Sequence, residues 1–509
     1  MALPFEGVEE EAEVSDVYAA RLADWRCNQV VYQVMPDRFA PSADRAAMAS
    51  HYTAPRRLRG WDERPQKGTF LPDERVWSHE IDFWGGTLTS VTAHLDHLVS
   101  MGVNVLYLTP IFHAFTNHKY DTIDYFTIDP ALGTQADFEK LCAQAHRQNI
   151  RVVLDGVFNH VGVRNAWFQE ARRDAESRYR RFFAFDNNLT HGYLCWSGAP
   201  SLPELDIGEQ PVRDMLWASP HAVVPHWLKH ADGWRLDVAF DLGPDALSEL
   251  TAAAHRARPD ALITGEIYNE PSGWLETMDG VLNMYLGRLI LELASGHLPP
   301  RQMQALVAAL VEDAGIEGLL RSWIVLSNHD RPRLRTALPD LQRRAFALAL
   351  QATLPGAPQY YYGEEIGLEG GDDPEQRGPM DWNAVRAGSA PELALTRRVI
   401  ALRHTHRALQ VGDYQPVAAQ QLFAFTRRTG SVRDLVLVVA NPTDHPVSEL
   451  LGPRDPWLMD GTPMDDALGG KPTRAHMGLV QVTVPPLTVQ AFVPRIGAAP
   501  GYDRYKRVP

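Results

Sequence analysis

Four short acidic segments lie at the ends of apolar runs: DGVFNH (155–160), GWRLD (233–237), GE (265–266) and NHD (328–330). Each follows a strand-like stretch: RVVL, the short run closed by ADGWRL, ALIT and SWIVLS. A side chain just past the C-terminal end of a parallel strand points into a shared mouth. Four such ends would gather Asp155, Asp237, Glu266 and Asp330 in one pocket, the constellation that glycosidic-bond cleavage requires. A retaining reaction needs an ionised carboxylate nucleophile and a protonated acid roughly 5–5.5 Å apart. Asp237 suits the first role, because Arg235 stands two residues upstream on the same strand face and a guanidinium lowers a neighbouring carboxyl's pKa. Glu266 suits the second, beside nearby anions and an apolar wall that favour the proton. Asp330 is then a third carboxylate, binding sugar hydroxyls and supporting the oxocarbenium-like transition state. His160 and His329, each next to a polar partner (Asn159, Asp330), can donate to the same hydroxyls.

Singly, each segment has a plainer reading. Arg-x-Asp is more often a structural ion pair, Asn-His-Asp a turn or cap, and Gly-Glu nearly uninformative. Asp155 reads equally as a substrate-binding residue or as scaffold, pinning Asn159 and neighbouring loops. Their occurrence in order, each at its own strand end, favours chemistry.

The elements that would position these residues alternate. Strand candidates are 30–39, 103–110, 151–158, 233–239, 261–267, 280–286, 322–328 and 357–363. Between them, stretches such as LTSVTAHLDHLVSM and DFEKLCAQAHRQN carry apolar residues at helical spacing. Repeated strand–helix–strand alternation predicts a parallel sheet, and eight strands predict a closed (β/α)8 TIM barrel; an open doubly wound sheet is the alternative. No Gly-rich phosphate loop follows the first strand, against a dinucleotide-binding version. The connection 161–211 is too long for a loop and reads as a small inserted domain after the third strand. The connection 40–83, rich in Arg and Pro, reads as an irregular loop. Beyond residue 405, QLFAFTRR, LVLVVANP, WLMDG and LVQVTVPPLTVQAFVP predict a C-terminal antiparallel β-sandwich. The expected domains are a barrel (1–160 and 212–405), an inserted domain (161–211) and the sandwich (406–509).

Bulk properties narrow the partners. The 509 residues carry a net charge of −14, which repels nucleic-acid phosphates and favours a neutral or cationic ligand. No apolar stretch approaches the roughly 20 residues of a bilayer span. The acidic N-terminus, MALPFEGVEEEAEV, does not read as a secretory signal. Cys27, Cys142 and Cys195 are odd in number and far apart, which points to a reducing, cytoplasmic setting without disulfides. There is no CxxC, and the HxH and ExxH spacings of a metal-dependent hydrolase are absent at the strand ends, so neither a metal nor another cofactor is expected.

With DGVFNH, GWRLD, GE and NHD in place, the sequence resembles the α-amylase family of glycoside hydrolases from about residue 28 onward. It is most similar to the neopullulanase, cyclomaltodextrinase and maltodextrin glucosidase group through FWGGTL (83–88), LYLTPIFHAFTNHKYDTIDYFTIDP (106–130), LPELD (202–206) and YYGEEIGLEGGDDPEQRGPMDW (361–382). RGWDERP (59–65) and VFNHVGVRNAWF (157–168) lean toward the maltodextrin glucosidases. The resemblance implies Asp237 as nucleophile, Glu266 as acid/base, Asp330 as transition-state stabiliser, and Arg235, His160 and His329 as sugar contacts. It implies that Tyr120 stacks under the reacting sugar and that Arg333 contacts the same sugar.

Departures from the family pattern set further expectations. About 27 residues precede the first strand, so the dimer that relatives build through an N-terminal domain is not expected, although another oligomer is open. Ala40, Pro41, Ser42 and Thr87 stand where several relatives bind calcium, and they offer too few oxygen ligands for that hard cation. Tyr268 replaces a common Trp, and Phe240-Asp241 replaces the Lys-His of secreted α-amylases. The expected activity is retaining hydrolysis of α-1,4 bonds in maltooligosaccharides and cyclodextrins. The alternatives are a transglycosylase or isomerase acting on sucrose or making trehalose, and a non-catalytic family member.

Overall fold

The computed structural model describes residues 17–496. The acidic N-terminal stretch and the last residues of the expected sandwich lie outside the described residues.

Eight parallel strands close a barrel in chain order. They are β1 (Val31–Val34), β2 (Val105–Leu108), β3 (Arg151–Gly156), β4 (Gly233–Leu236), β5 (Leu262–Ile267), β6 (Gly280–Asn283), β7 (Trp323–Val325) and β8 (Ala357–Tyr361). β8 returns to pair with β1, Tyr32 lying opposite Tyr360. Period-two alternation divides the strand residues between two environments. Val31, Val105, Tyr107, Val153, Leu262, Leu282 and Trp323 pack together as one cluster. Their alternates, such as Tyr32, Leu106, Leu154, Trp234 and Ile263, join the large core that includes the helices. This is the packed centre and helical ring of a (β/α)8 barrel.

Helix Gln135–Arg147 illustrates how sequence sets an element. Thr134 caps it by accepting from the Asp137 N–H while Asp137 answers as the reciprocal partner, and Phe138, Leu141, Cys142 and Ala145 form the buried stripe. The expected strand 30–39 is shorter: after Met35, Pro36–Phe39 forms a helical turn, with proline suited to its start. Strand 280–286 likewise ends at Asn283, whose side chain caps helix Met284–Ser295. Gly287 faces β7 so closely that a Cβ there would meet the Val325 carbonyl oxygen at 1.9 Å.

Segment 161–211 contains helix Ala166–Arg173 and short 3₁₀ turns. Its aromatic centre includes Phe168 against Phe183 and Tyr193. Connection 40–83 is less irregular than expected: it holds helix Arg45–Met48 and short ladders pairing Arg57–Leu58 with Asp82–Phe83 and Phe70–Leu71 with Val76–Trp77.

After the barrel come β9 (Asp413–Val417), β10 (Phe423–Arg428), β11 (Val436–Asn441), β12 (Val447–Leu451), β13 (Pro463–Asp466), β14 (Thr473–His476), β15 (Leu479–Val484) and β16 (Thr488–Pro494). They form an antiparallel array ordered β9-β10-β11-β16-β13-β14-β15-β12. It encloses its own apolar cluster, including Leu437, Val439, Val480 and Phe492. WLMDG, expected as a strand, is a run of turns instead; its Asp460 accepts from the Met477 N–H and so joins two loops.

Candidate active site

Strand register brings the charged residues together. Arg235 on β4 lies opposite Asp155 on β3 and Thr264 on β5. Two residues further along the same faces come Asp237 and Glu266, at the C-terminal mouth. Arg235, fully buried, reaches Asp155 Oδ1 at 2.8 Å, Asp237 Oδ1 at 2.9 Å and Glu266 Oε2 at 2.8 Å. Three carboxylates therefore surround one guanidinium.

Burial pushes the Asp237 carboxyl well above the usual carboxylate range; Arg235 opposes this rise, while Glu266 and Asp155 add to it. Arg235 does favour the ionised Asp237, as expected, but burial first, and then the charges of Glu266 and Asp155, outweigh it. Asp155 is also raised, first by burial, against the pull of Arg235. Glu266 does not rest on a purely apolar wall: the Tyr268 hydroxyl donates to Oε1 at 3.0 Å and the Val238 N–H to Oε2 at 3.2 Å. That N–H is aimed by a left-handed backbone at Val238, φ 42°, a conformation that β-branched residues rarely adopt.

Tyr120 is carried by the loop of the hairpin Phe112–Ala114/Thr122–Ile128. Asp121 braces that loop through the N–H groups of Phe115 and Thr116, and Lys119 anchors it to Asp129 at 2.8 Å. The Tyr120 hydroxyl donates to Asp155 Oδ2 at 3.0 Å and meets His329 Nε2 at 2.5 Å. The two rings are nearly parallel, with centroids 5.5 Å apart. Tyr107 donates to the same Asp155 oxygen, so Asp155 joins Tyr107, Tyr120 and Arg235 and not Asn159, the residue it was expected to pin.

A chain of amides fixes His329. Gln359 Nε2 donates to Gln33 Oε1, and Gln33 Nε2 then meets His329 Nδ1 at 2.7 Å. Nδ1 is therefore the acceptor and Nε2 carries the proton. Burial, with Arg377 and Arg235 nearby, holds the ring well below the ordinary histidine pKa, so it stays neutral. Its Nε2 lies 3.0 Å from Asp330 Oδ2. His160 is buried too, and burial first of all takes its pKa down to about 3. Neither of its ring nitrogens has a hydrogen-bond partner among the described residues, and the ring stacks with Trp196 at 5.4 Å.

Arg333 is not part of this group. It is fully buried, donates to the carbonyls of Gln376 and Tyr362, and lies over the Tyr361 ring. Its Nε and Nη1 are held on the wall of the β8 loop, away from the Asp330 carboxylate beside which a sugar contact was expected. Arg377 reaches the site instead: Nη2 donates to Asp330 Oδ1 at 3.0 Å and Nε to the His329 carbonyl at 2.8 Å. Arg377 stood inside the quoted DDPEQRGPMDW, but a loop has no periodicity to show where a side chain turns. Trp196, from the inserted segment, and Tyr268 complete the rim; Trp196 Nε1 donates to Asp241 at 3.2 Å.

Among the described residues no group of three or more His, Cys, Asp and Glu side chains is placed to hold a metal ion. Beside the Ala40–Ser42 loop, Asp37 already accepts the N–H groups of Trp84 and Gly85. Cys27, Cys142 and Cys195 are free thiols. Among the described residues no helix is long and apolar enough to cross a membrane.

The chain is similar to known proteins. The family model for the α-amylase catalytic domain matches residues 33–264 and 247–436. A cyclomaltodextrinase from Geobacillus thermopakistaniensis is 30% identical over 486 residues, covering 91% of this chain and 76% of that protein. Neopullulanase 2 from Thermoactinomyces vulgaris is 31% identical over 492 residues, covering 91% and 77%. Among solved structures, the cyclic α-maltosyl-(1→6)-maltose hydrolase of Arthrobacter globiformis superposes with a TM-score of 0.77 at 28% identity, covering 93% of this chain and 99% of that one. By the match to its catalytic-domain model and by these relatives, the chain belongs to the α-amylase family and is an α-glucan-acting glycosidase.

Proposed function

We propose that the protein hydrolyses α-1,4 bonds of maltooligosaccharides and cyclodextrins with retention of configuration, through a covalent glycosyl-enzyme. The observation that carries this reading is the sharing of Arg235 by Asp237 and Glu266. It supports a close carboxyl pair of the retaining kind, about 5–5.5 Å apart, rather than the wider pair that leaves room for a water.

In this mechanism Asp237 attacks the anomeric carbon while Glu266 protonates the departing glycosidic oxygen. The C–O bond to the leaving sugar breaks and an ester to Asp237 forms. Glu266, now a carboxylate, takes a proton from water, whose oxygen displaces the ester and frees Asp237. Arg235 orients both carboxylates, and Asp330, held by Arg377, stabilises the transition state. Tyr120 stacks under the reacting sugar. The ring nitrogens of His160 and the Nε2 proton of His329 serve its hydroxyls; for His160 this would satisfy buried polar atoms that have no partner among the described residues. Asp155 acts through Arg235 and Tyr120 as a brace. No cofactor takes part.

We place the domain limits at 161–211 for the insert and 406–509 for the C-terminal unit, with the barrel around them, and the cell location in the cytoplasm, supported by the free thiols. The deciding experiment is proton NMR of the first products from β-cyclodextrin. Initial α-anomers support the reading; initial β-anomers, or no cleavage, defeat it. A mass increase at Asp237 in Glu266→Gln protein given α-maltosyl fluoride, whose leaving group needs no acid, would identify the ester.

A further inference from the structure

Behind the β8 loop lies a cavity of about 940 Å³ that the catalytic reading does not use. Loop 60–66 and segment 368–386 form its sides. Segment 370–378 separates it from the carboxylates. Gln376 and Arg377 turn one way, both donating to the His329 carbonyl, while Gly370, Gly371 and Glu375 face the cavity. Arg333 ties this partition together, its N–H on the Gly370 carbonyl and its Nε on that of Gln376.

The lining has a definite chemistry. Trp61 is half-buried and anchored by its Nε1 on the Met380 carbonyl at 3.0 Å. Trp382 is fixed in place by the Phe39 carbonyl and by the His94 ring at 4.1 Å. On the same loop as Trp61, the side chains of Asp62, Arg64 and Gln66 are exposed and form no hydrogen bond or ion pair with another described residue. Carboxylate, guanidinium and amide groups beside an indole suit a ring with an apolar face and a rim of hydroxyls. Charges of both signs, Asp62 and Asp381 against Arg64 and Arg386, disfavour an anion, and their placement along the lining disfavours a lipid. The volume falls within the range of pockets that enclose small ligands, about 300–1,000 Å³.

We propose that this cavity is a second, non-catalytic site for a neutral glucan oligosaccharide, with Trp61 as its stacking platform and Asp62, Arg64 and Gln66 as its hydroxyl contacts. The inference rests on the proposed α-glucan activity only for the identity of the sugar. It gives a use to RGWDERP, a motif that the reaction leaves idle.

The test is calorimetric titration of maltohexaose into Asp237→Asn protein, which binds without turnover, and into the same protein carrying Trp61→Ala or Arg64→Ala. Two binding events are expected in the parent, and loss or at least tenfold weakening of one of them in each double variant. Arg64→Ala removes no hydrogen bond or ion pair to another described residue, so it decides the matter if Trp61→Ala folds poorly. A single event that neither change affects overturns the second site and leaves the proposed reaction standing. A single event that both changes abolish supports the second site and counts against the proposed reaction. Absence of any event overturns both.

Discussion

Arg235 binds three carboxylates at once, so the ionisation of Asp237 depends on its neighbours. Activity needs Asp237 ionised and is lost as pH falls through its raised folded value. The charge of Asp155 adds to that rise. Asp155→Asn removes the charge and frees Arg235 for Asp237, both of which lower the Asp237 pKa. The acid limb of the kcat/KM profile should therefore move to lower pH, by roughly one unit or more. A limb that stays in place, or moves upward, would show that another group controls it. Arg377 gives a second prediction at this scale. Arg377→Ala strips Asp330 Oδ1 and the His329 carbonyl of charged donors. Steady-state kinetics on maltotriose should show kcat/KM reduced roughly 10–100-fold, whereas an unchanged value would leave Arg377 without a part in positioning Asp330. Asp237, Glu266, Asp330 and Arg235 were legible because each ends a strand-like run. Arg377 and Trp196 were not, because loop conformation decides where they point. Arg333 misled for the same reason: closeness to Asp330 in sequence says nothing about direction after a turn.

Elements were legible where period and caps agreed. All eight barrel strands fall inside the expected runs, since each is a short apolar stretch flanked by turn residues. Their ends were misjudged where a helix begins without a gap, as at Pro36 and Asn283. The short strands β12, β13 and β14 gave no readable signal, because each has only four or five residues, with an apolar side chain among the exposed ones in β12 and a polar side chain among the buried ones in β13. The left-handed Val238 contradicts local preference and is held by its surroundings; such conflicts cluster where function demands a geometry. The tight packing of helix Met284–Ser295 on β7 gives a test at this scale. Gly287→Ala would drive a methyl into the Val325 carbonyl. It should destabilise the protein by about 1–3 kcal/mol, seen as a lower midpoint in urea unfolding. An unchanged midpoint would mean that the helix can ride outward without cost.

For the whole molecule, the buried acidic cluster is a stability cost that the site requires. Asp237 has a folded pKa raised above its unfolded value, so the folded state binds more protons across that interval. Stability is highest below the unfolded pKa and falls as pH rises through the folded one. Asp237→Asn removes the penalty. Its melting temperature should exceed that of the parent by on the order of 1–2 °C at neutral pH, with the gap closing toward pH 4. Calorimetry at the two pH values checks this, and a gap that widens in acid would reverse the sign.

Closure of the barrel joins the two ends of its chain. Val31 on β1 pairs with Val105 on one side and with Gln359 on the other, a span of about 330 residues along the polypeptide. At synthesis rates of about 5–20 residues per second, the second partner emerges roughly 16–66 s after the first strand. Through that interval one edge of β1 has nothing to pair with, and an unpaired edge is a template for association between chains. The seam between β1 and β8 is therefore where slow translation would turn a folding chain toward aggregation.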